Sequence, residues 1–464
     1  MALTETVPVA ASSAHEGILR RQSLRESAAR TYARSLPIVP VRARGLTIEG
    51  ADGRRYLDCL SGAGTLALGH NHPVVLEAIR AVLDSGAPLH TLDLATPVKD
   101  AFTTELFATL PQELAEKGRI QFCGPAGTDA VEAAFTLVRA ATGRDGLMAF
   151  SGAYHGMTAG ALAASGGASH PGVTRLPYPY DYRCPFGTGG ELGAELSARW
   201  TRSLLDDAKS GVGQPAGMIL EPVQGEGGVI PAPDSWLRNM RDLTAARKIP
   251  LIVDEVQTGV GRTGTFWAVE HSGIVPDVLV LSKAIGGSLP LAVIVYREEL
   301  DTWQPGAHAG TFRGNQLAMA AGSATLAFVR ANGLARRAGE LGARMLARLR
   351  ALATAHDCIG DVRGRGLMLG VEIVDRTTDA DATGARPGDP ALAAAVQRAC
   401  LERGLIVELG GRRSAVVRLL PPLTITDEQA EAILDRLADA IAAAVRTVPG
   451  PTGPPPTTLR GTSR

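Results

Sequence analysis

Lys283 is the residue whose type and setting best suit covalent chemistry. It follows a short apolar run at residues 278–281 and precedes the small residues Ala284, Gly286 and Gly287, which indicates a strand that ends in a turn. A lysine enclosed at such a place has its charged form disfavoured, and the neutral amine can attack a carbonyl to form an imine. The alternative is an ordinary surface lysine after a strand.

The other lysines are poorer candidates for this role. The basic residues are nearly all arginine, which cannot form an imine, and the sequence holds only five lysines. Those besides Lys283 lie in polar stretches typical of solvated helix ends or turns: Lys99, Lys117, Lys209 and Lys248.

Asp254 is a natural partner for such a lysine. It ends the apolar stretch 249–253, and a carboxylate buried there needs a cationic partner. Pyridoxal phosphate requires both an imine-forming lysine and a carboxylate beside its protonated ring nitrogen, so that the ring can accept carbanion charge. The alternative is the acidic residue of a nucleotide hydrolase, but the sequence contains no G-x-x-x-x-G-K-[ST] motif.

Gly127 and Thr128 stand at the predicted start of a helix, after a short run at 121–123. Backbone N–H groups, a hydroxyl and the positive end of the helix dipole together suit a phosphate. Helix capping alone would also explain these residues.

Tyr154 and His155 follow another short predicted strand, 147–150. An aromatic pair at the carboxyl end of a strand can stack on a flat heteroaromatic ring, although such a pair is often used only for packing.

Strands alternate with helices along the chain, and the candidate residues follow the strand ends. This pattern predicts an α/β fold with an open, mainly parallel sheet flanked by helices and a site along one edge. The Gly-, Pro- and Tyr-rich stretch 165–192 is predicted to be a surface excursion.

The sequence is predicted to divide into five parts. They are a flexible leader (1–12), an N-terminal segment contributing to a small domain (13–70), a large domain (71–330), a smaller α+β domain (331–446) and a disordered proline-rich tail (447–464).

The overall composition excludes several classes of protein. The 464 residues carry a formal net charge of +0, which favours neither nucleic acid nor an anionic membrane as a partner. Five scattered cysteines without a C-x-x-C pair, and no apolar run of membrane-spanning length, predict a cytoplasmic protein. His70 and His72 invite a metal interpretation, but a structural turn is favoured, and no metal site is expected.

Five motifs, in order along the chain, resemble those of the class III, ω-amino-acid branch of the fold-type I pyridoxal-phosphate aminotransferases. They are FSGAYHG (150–156), EPVQGEGG (221–228), DEVQTGVGRTG (254–264), SKAIGG (282–287) and GTFRGN (310–315). The resemblance extends from about residue 40 to 445. Within the family, the stretches 57–73, 122–125 and 311–319 most resemble diaminobutyrate:2-oxoglutarate aminotransferases. The implied fold has a seven-stranded sheet in the large domain.

The resemblance implies that pyridoxal phosphate is the cofactor and gives each matched residue a role. Lys283 would bind it covalently and shuttle a proton, Asp254 would pair with the ring nitrogen, and Gln257 would lie near the phenolic oxygen. Tyr154 and His155 would lie at the ring face.

The phosphate would be held from two subunits. The resemblance implies that Gly127 and Thr128 bind it from their own subunit, whereas Thr311 reaches it from the neighbouring one. The enzyme would then be a homodimer with shared active sites, and larger assemblies stay possible.

Arg418 matches the arginine that grips the α-carboxylate of glutamate, and Glu226 matches the acid that covers it. Glutamate needs Arg418 free, whereas an ω-amine presents uncharged carbon there, so Glu226 can then neutralise Arg418. The alternative for Arg418 is a salt bridge at a strand edge.

Two residues depart from the family pattern. Met157 stands where 4-aminobutyrate aminotransferases usually carry an arginine for the distal carboxylate. Arg313 replaces a common glycine, and nothing in the sequence explains it physically.

The expected reaction moves the amino group of L-glutamate to L-aspartate 4-semialdehyde, which gives L-2,4-diaminobutyrate and 2-oxoglutarate. The alternatives are another ω-amine substrate (ornithine, acetylornithine or 4-aminobutyrate), or a racemase or decarboxylase on the same fold. A non-catalytic dimer is disfavoured by the intact candidate set.

Overall fold

The computed structural model describes residues 9–167 and 169–447, with side chains described from residue 15 onward. Its α-helices are α1 Val9–Arg25, α2 Tyr32–Ser35, α3 Pro73–Asp84, α4 Pro97–Phe107, α5 Gln112–Lys117, α6 Gly127–Thr142, α7 Ala159–Ala164, α8 Gly190–Asp206, α9 Asp234–Ala246, α10 Gln316–Ala331, α11 Leu334–Ala355, α12 Pro390–Glu402 and α13 Asp427–Thr447.

The strands are β1 Pro40–Arg44, β2 Thr47–Gly50, β3 Arg55–Asp58, β4 Gly118–Phe122, β5 Leu147–Phe150, β6 Val173–Leu176, β7 Gly217–Leu220, β8 Val223–Gln224, β9 Ile230–Pro231, β10 Leu251–Asp254, β11 Val278–Leu281, β12 Val293–Arg297, β13 Ile359–Arg365, β14 Met368–Ile373, β15 Leu405–Ile406, β16 Glu408–Gly410 and β17 Val416–Leu419. Short 3₁₀ turns span Ala268–His271, Lys283–Gly286 and Glu298–Leu300.

A seven-stranded sheet forms the centre of the molecule, in the order β4-β12-β11-β10-β7-β5-β6. Strands β6, β5, β7, β10 and β11 pair in parallel, and β12 is antiparallel to both of its neighbours. The predicted mainly parallel sheet is therefore confirmed.

The inner parallel strands of the sheet are buried on both faces. Every residue of β5, β7, β10 and β11 is buried, which is why these strands read as continuous apolar runs in the sequence. Helix α6 packs on the sheet through a fully buried stripe that includes Val131, Phe135 and Val138.

The carboxyl ends of the parallel strands meet along one edge. In the register of β10 and β11, Asp254 lies opposite Val280. Lys283 comes three residues after Val280, so both Asp254 and Lys283 lie at this edge of the sheet. The chain leaves β7 at Glu221 and β5 at Ser151 on the same edge. Parallel pairing therefore brings together residues that are far apart in the sequence.

Two four-stranded sheets contain most of the remaining strands. One has the order β1-β2-β3-β15, in which β15 pairs in parallel with β3, and the other has the order β13-β14-β17-β16. The first sheet joins the N-terminal segment to the C-terminal part of the chain.

The predicted domain boundaries stay a prediction. Most of the predicted leader lies outside the described residues, while residues 9–12 belong to α1. The predicted tail also lies outside them, except for Thr447, which ends α13.

The stretch 165–192 is not merely a surface excursion. It contains β6, which pairs with β5 as the edge strand of the central sheet. Tyr178 and Tyr180 are buried, and the Tyr178 hydroxyl donates to the carbonyl oxygen of Glu221 at 2.8 Å. This strand could not be recognised in the sequence, because it is only four residues long and half-buried and so shows no clear hydrophobic periodicity.

Within the described residues, no helix is long and apolar enough to cross a membrane.

Helix α10 packs directly on the turn that carries Lys283. A Cβ atom added to Gly322 would lie 2.1 Å from the carbonyl oxygen of Ile285, within that turn. On the other side, Gly287 has a φ of +55°, and an added Cβ there would lie 2.4 Å from the Ala321 carbonyl oxygen. Glycines therefore permit the close approach of the helix and the turn.

We expect Gly322→Ala to destabilise the protein by roughly 1–3 kcal/mol, because overpacking outweighs the higher helix propensity of alanine. Gly339→Ala in α11 is the matched control, since its added Cβ would lie 3.4 Å from Gly264 Cα, an ordinary contact. Thermal unfolding of both variants measures the difference. Equal midpoints for the two variants would contradict the packing argument.

Candidate functional site

A cavity of about 280 Å³ opens at the carboxyl edge of the central sheet. Its volume is close to the lower end of the roughly 300–1,000 Å³ found for small-molecule sites. It is lined by all the predicted site residues except Arg418 and Thr311, namely Gly127, Thr128, Tyr154, His155, Glu226, Asp254, Gln257 and Lys283.

Lys283 begins the 3₁₀ turn after β11 and has a left-handed backbone, with a φ of +50°. This conformation is unfavourable for a residue with a Cβ, so the surrounding packing must hold it. Burial lowers the pKa of the Lys283 amine; the Glu226 carboxylate opposes this shift, and the Arg418 guanidinium adds to it. The neutral amine is therefore more accessible than in an exposed lysine.

Asp254 is buried at the end of β10 and is held by two partners. Its Oδ2 lies 2.8 Å from Nδ1 of His155, and its Oδ1 accepts a hydrogen bond from the Val256 N–H at 3.0 Å. The imidazole of His155 is also buried, and its Nε2 has no partner among the described residues. The structure thus places His155 against Asp254, while Tyr154 lies half-exposed at the cavity.

The start of α6 lines the cavity with small residues and hydroxyl groups. A Cβ on Gly127 would lie 3.2 Å from the Val256 side chain. The Thr128 hydroxyl lies 2.7 Å from that of Thr158, and Gly156, with a φ of +125°, passes so close that an added Cβ would be 2.4 Å from Thr128 Oγ1. The helix start and the hydroxyl are suitably placed for an anion such as a phosphate.

The residues of the cavity fit pyridoxal phosphate. A buried carboxylate can hold a protonated ring nitrogen, an amine with a lowered pKa can bind an aldehyde, and the start of α6 can hold a phosphate. Gln257 donates from Nε2 to the Ala63 carbonyl oxygen at 3.0 Å, but its Oε1 is buried without a partner in the described chain. Together with His155 Nε2, this leaves polar atoms at the cavity to be satisfied by a bound group.

Arg418 lies behind Glu226 in the interior. Its side chain is fully buried on β17, and its Nη2 contacts Glu226 Oε1 at 2.8 Å. The same nitrogen contacts Glu408 Oε2, which lies directly opposite Arg418 on β16. The structure therefore contains both the contact with Glu226 and a cross-strand salt bridge.

Thr311 does not line the cavity of its own chain. It is exposed in the loop before α10, next to Phe312, whose side chain is 69% exposed. Met157 lines the cavity and is also exposed. Arg313 has buried Nε and Nη2 atoms without a partner among the described residues, and nothing in the structure explains its replacement of glycine.

His70 contacts a carboxylate 12 residues earlier in the sequence. Its Nε2 lies 2.8 Å from Oδ2 of Asp58, and its backbone forms an isolated bridge with Gly45.

Three residues near the site were not assigned from the sequence. Glu221 lines the cavity and accepts hydrogen bonds from the N–H groups of Tyr154 and Gly225, both at 3.0 Å. Tyr32 and Glu408 come from segments that are remote from every motif. Only Glu221 carried a signal, because it follows β7 at the same edge as the other candidates.

The family model for class III aminotransferases matches residues 28–441. The chain belongs to the class III aminotransferase family. This confirms the resemblance, and pyridoxal phosphate is the cofactor of that family.

Two curated relatives resemble this aminotransferase over nearly the whole chain. A diaminobutyrate–2-oxoglutarate aminotransferase of Rhizobium meliloti (strain 1021) is 55% identical over 92% of each chain. A protein of the same name from Haemophilus influenzae is 50% identical, over 96% of this chain and 99% of that one.

Solved structures share the fold. A PLP-bound amine transaminase from an uncultivated Pseudomonas species is 30% identical, with a TM-score of 0.80 over 90% of this chain and 98% of that chain. An (S)-enantioselective ω-transaminase from Thermomicrobium roseum is 26% identical, with a TM-score of 0.82 over 93% and 99% of the two chains. The predicted fold-type I architecture is thereby confirmed.

Two buried glutamates in this aminotransferase have unusual titration behaviour. Burial raises the pKa of Glu221 to about 7, with the Asp254 carboxylate adding to the shift and His155 opposing it. Burial also raises the pKa of Glu255 to about 7, against hydrogen bonds from Thr258 and from the N–H of Val269. Both carboxyl groups thus keep a proton at a pH where an exposed glutamate has lost it.

We expect Glu255→Gln to flatten the dependence of stability on pH. Between about pH 4.3 and 7 the folded chain holds a proton on Glu255 that the unfolded chain has released, so stability falls as pH rises, by up to about 1.4 kcal/mol per unit. A glutamine can still accept from Val269 and donate to the Thr258 hydroxyl, and it has no proton to lose.

Unfolding midpoints measured from pH 5 to 7.5 test this expectation. Glu113→Gln is the control, because Glu113 is exposed and contacts Arg297 at 2.7 Å. A Glu255→Gln curve parallel to that of the unsubstituted protein would rule out a titration at this position.

Proposed function

We propose that this protein is a diaminobutyrate:2-oxoglutarate transaminase. It would move the amino group of L-glutamate to L-aspartate 4-semialdehyde, reversibly and in two half-reactions, to give L-2,4-diaminobutyrate and 2-oxoglutarate. The observation that carries the proposal is that Lys283, the Asp254–His155 pair and Glu226 line the same cavity. Arg418 lies directly behind Glu226.

When bound, pyridoxal phosphate supplies an aldehyde that takes up the amino group and a ring that draws in the electron pair left on carbon. Lys283 would bind the aldehyde through its neutral amine and would move the proton of the reacting carbon. Its lowered pKa supports both roles.

Asp254 would hold the proton on the ring nitrogen, because a buried carboxylate stabilises a nearby cation. His155 fixes the position of that carboxylate through its 2.8 Å contact. Tyr154 and Gln257 would contact the ring and its phenolic oxygen, while Gly127 and Thr128 would hold the phosphate.

Glu226 and Arg418 would let one site accept two kinds of substrate. A glutamate α-carboxylate would replace Glu226 on Arg418, whereas an ω-amine would leave the contact between Glu226 and Arg418 in place. The partial exposure of Glu226 beside the fully buried Arg418 supports such an exchange.

The substrate assignment rests on the relatives and on Met157. The relatives named above at 50–55% identity are diaminobutyrate–2-oxoglutarate aminotransferases. Met157 lines the cavity where 4-aminobutyrate aminotransferases usually carry an arginine, which disfavours that substrate. Ornithine and acetylornithine are the remaining ω-amine alternatives.

The cytoplasmic location stays a prediction.

A single-turnover absorbance experiment tests the reaction. L-glutamate should abolish the visible absorbance of the lysine-bound cofactor, and aspartate 4-semialdehyde should restore it faster than succinate semialdehyde or glutamate 5-semialdehyde. Lys283→Ala should bind the cofactor without this cycle. Faster recovery with glutamate 5-semialdehyde would instead indicate an ornithine enzyme, and no loss of absorbance with glutamate would indicate a racemase or decarboxylase.

The protein is further proposed to be a homodimer in which Thr311 serves the site of the neighbouring subunit. Exposed apolar side chains support this interface: Leu89, Leu92, Leu94 and Phe312. The rings of His90 and Phe312 lie 5.5 Å apart, so the segment around residue 90 and the Thr311 loop form one surface. Contiguous apolar surface of this kind marks protein contacts.

Co-expression of Lys283→Ala with Thr311→Asp tests the shared site. Each variant alone should be inactive, the second because its carboxylate repels a phosphate. A mixed dimer would contain one intact site, so randomly assorted subunits should recover roughly a quarter of the full activity. Thr311→Ser is the control that keeps the hydroxyl group. No recovery in a preparation that contains mixed dimers would place Thr311 outside the partner's site.

A further inference from the structure

Arg418 has two carboxylate partners on the same nitrogen atom. Its Nη2 lies 2.8 Å from Oε1 of Glu226 and also contacts Oε2 of Glu408. Because the Arg418 side chain is fully buried, water cannot compensate its charge. The guanidinium therefore depends on these two carboxylates.

The two carboxylates are held very differently. Glu408 is part of β16 and lies directly opposite Arg418 in the antiparallel register, with its side chain 10% exposed. Glu226 belongs to the glycine-rich loop after β8, lines the cavity and has a side chain 31% exposed. Glu408 is therefore fixed beside Arg418, whereas the Glu226 side chain has room to turn away.

The backbone around Arg418 keeps the Glu408 contact in place. Gly410, the last residue of β16, lies so close that an added Cβ would be 2.9 Å from Arg418 Nε. The N–H of Gly411 donates to the backbone carbonyl oxygen of Glu226 at 2.9 Å. The backbone of Glu226 is thus tied to the end of β16, and only its side chain needs to move.

Glu408 has a further partner from the N-terminal part of the chain. The Tyr32 hydroxyl, on α2, lies within hydrogen-bonding reach of the Glu408 carboxyl group. Burial and the Glu408 carboxylate raise the pKa of Tyr32, so the hydroxyl stays protonated as a donor. Glu408 therefore keeps its contact with Arg418 even when Glu226 turns away.

We infer that Glu408 is a positioning residue, a permanent counter-ion that keeps Arg418 compensated and oriented while Glu226 leaves to admit a substrate carboxylate. This inference rests on the exchange proposed above for Arg418 and Glu226. With Glu226 as its only partner, Arg418 would be a buried, unpaired cation whenever the site opened. With Glu408 in place, the open site retains a neutral ion pair.

The first test is a double-mutant cycle on the holoenzyme, read as thermal midpoints. Glu226→Gln and Glu408→Gln should each lower the midpoint slightly, because one counter-ion remains. The midpoint of the double variant should fall clearly more than the sum of the two single decreases. Glutarate, an unreactive dicarboxylate, should raise the midpoint of the double variant more than it raises the midpoint of either single variant.

An additive cycle, or a loss for Glu226→Gln alone as large as that of the double variant, would overturn the inference. Failure of only the double variant to fold would be the extreme form of the expected non-additivity. Glu113→Gln is the control for loss of an exposed carboxylate that contacts an arginine.

The second test uses the folded Glu408→Gln holoenzyme and stopped-flow binding of glutarate. If the open site loses its counter-ion, both the association and the dissociation rate constants should fall at least about fivefold, while Kd changes much less. Glu408→Asp, which keeps the charge, should recover much of the rate. Unchanged rates, or a change in Kd alone, would show that Glu408 does not assist the exchange.

Neither test involves diaminobutyrate. Failure of the substrate proposal and failure of this inference are therefore distinguishable. The first would appear in which aldehyde restores the absorbance fastest, and the second in the thermal midpoints and the rate constants for glutarate binding.

Discussion

The burial of charged groups at one edge of a sheet is the constraint on which this aminotransferase depends. A buried charge is costly unless a partner compensates it. Asp254 has His155 at 2.8 Å, and Arg418 has Glu226 and Glu408. Each of these contacts joins residues from different elements, so the charges are compensated only when those elements have packed together.

The same burial gives the groups their chemical character. Burial lowers the pKa of the Lys283 amine and raises the pKa of the Glu221 carboxyl group to about 7. Pyridoxal-phosphate chemistry requires an amine that loses its proton readily and a buried carboxylate, and Lys283 and Asp254 line the same cavity. The pKa values of these groups thus depend on their enclosure as much as on the residue types.

Close backbone contacts make the enclosure possible. An added side chain would collide with Thr128 at Gly156 and with the turn of Lys283 at Gly322, and it would be tight against Val256 at Gly127. Lys283 itself has a left-handed backbone, and the surrounding packing bears the cost of this conformation. The fold and the site are therefore stabilised by the same contacts.

The sequence by itself determined the class of fold, because buried parallel strands read as apolar runs. From the strand ends and from the resemblance to the family, it also predicted a set of site residues, most of which line one cavity in the structure. It could not reveal β6, which is short and half-buried. Nor could it reveal the contacts of Arg418 with Glu408 and of His155 with Asp254, since no local pattern records which side chains meet across 10 or 99 residues. Only the tertiary structure decided these, because cross-strand register and loop packing set which buried charges become neighbours.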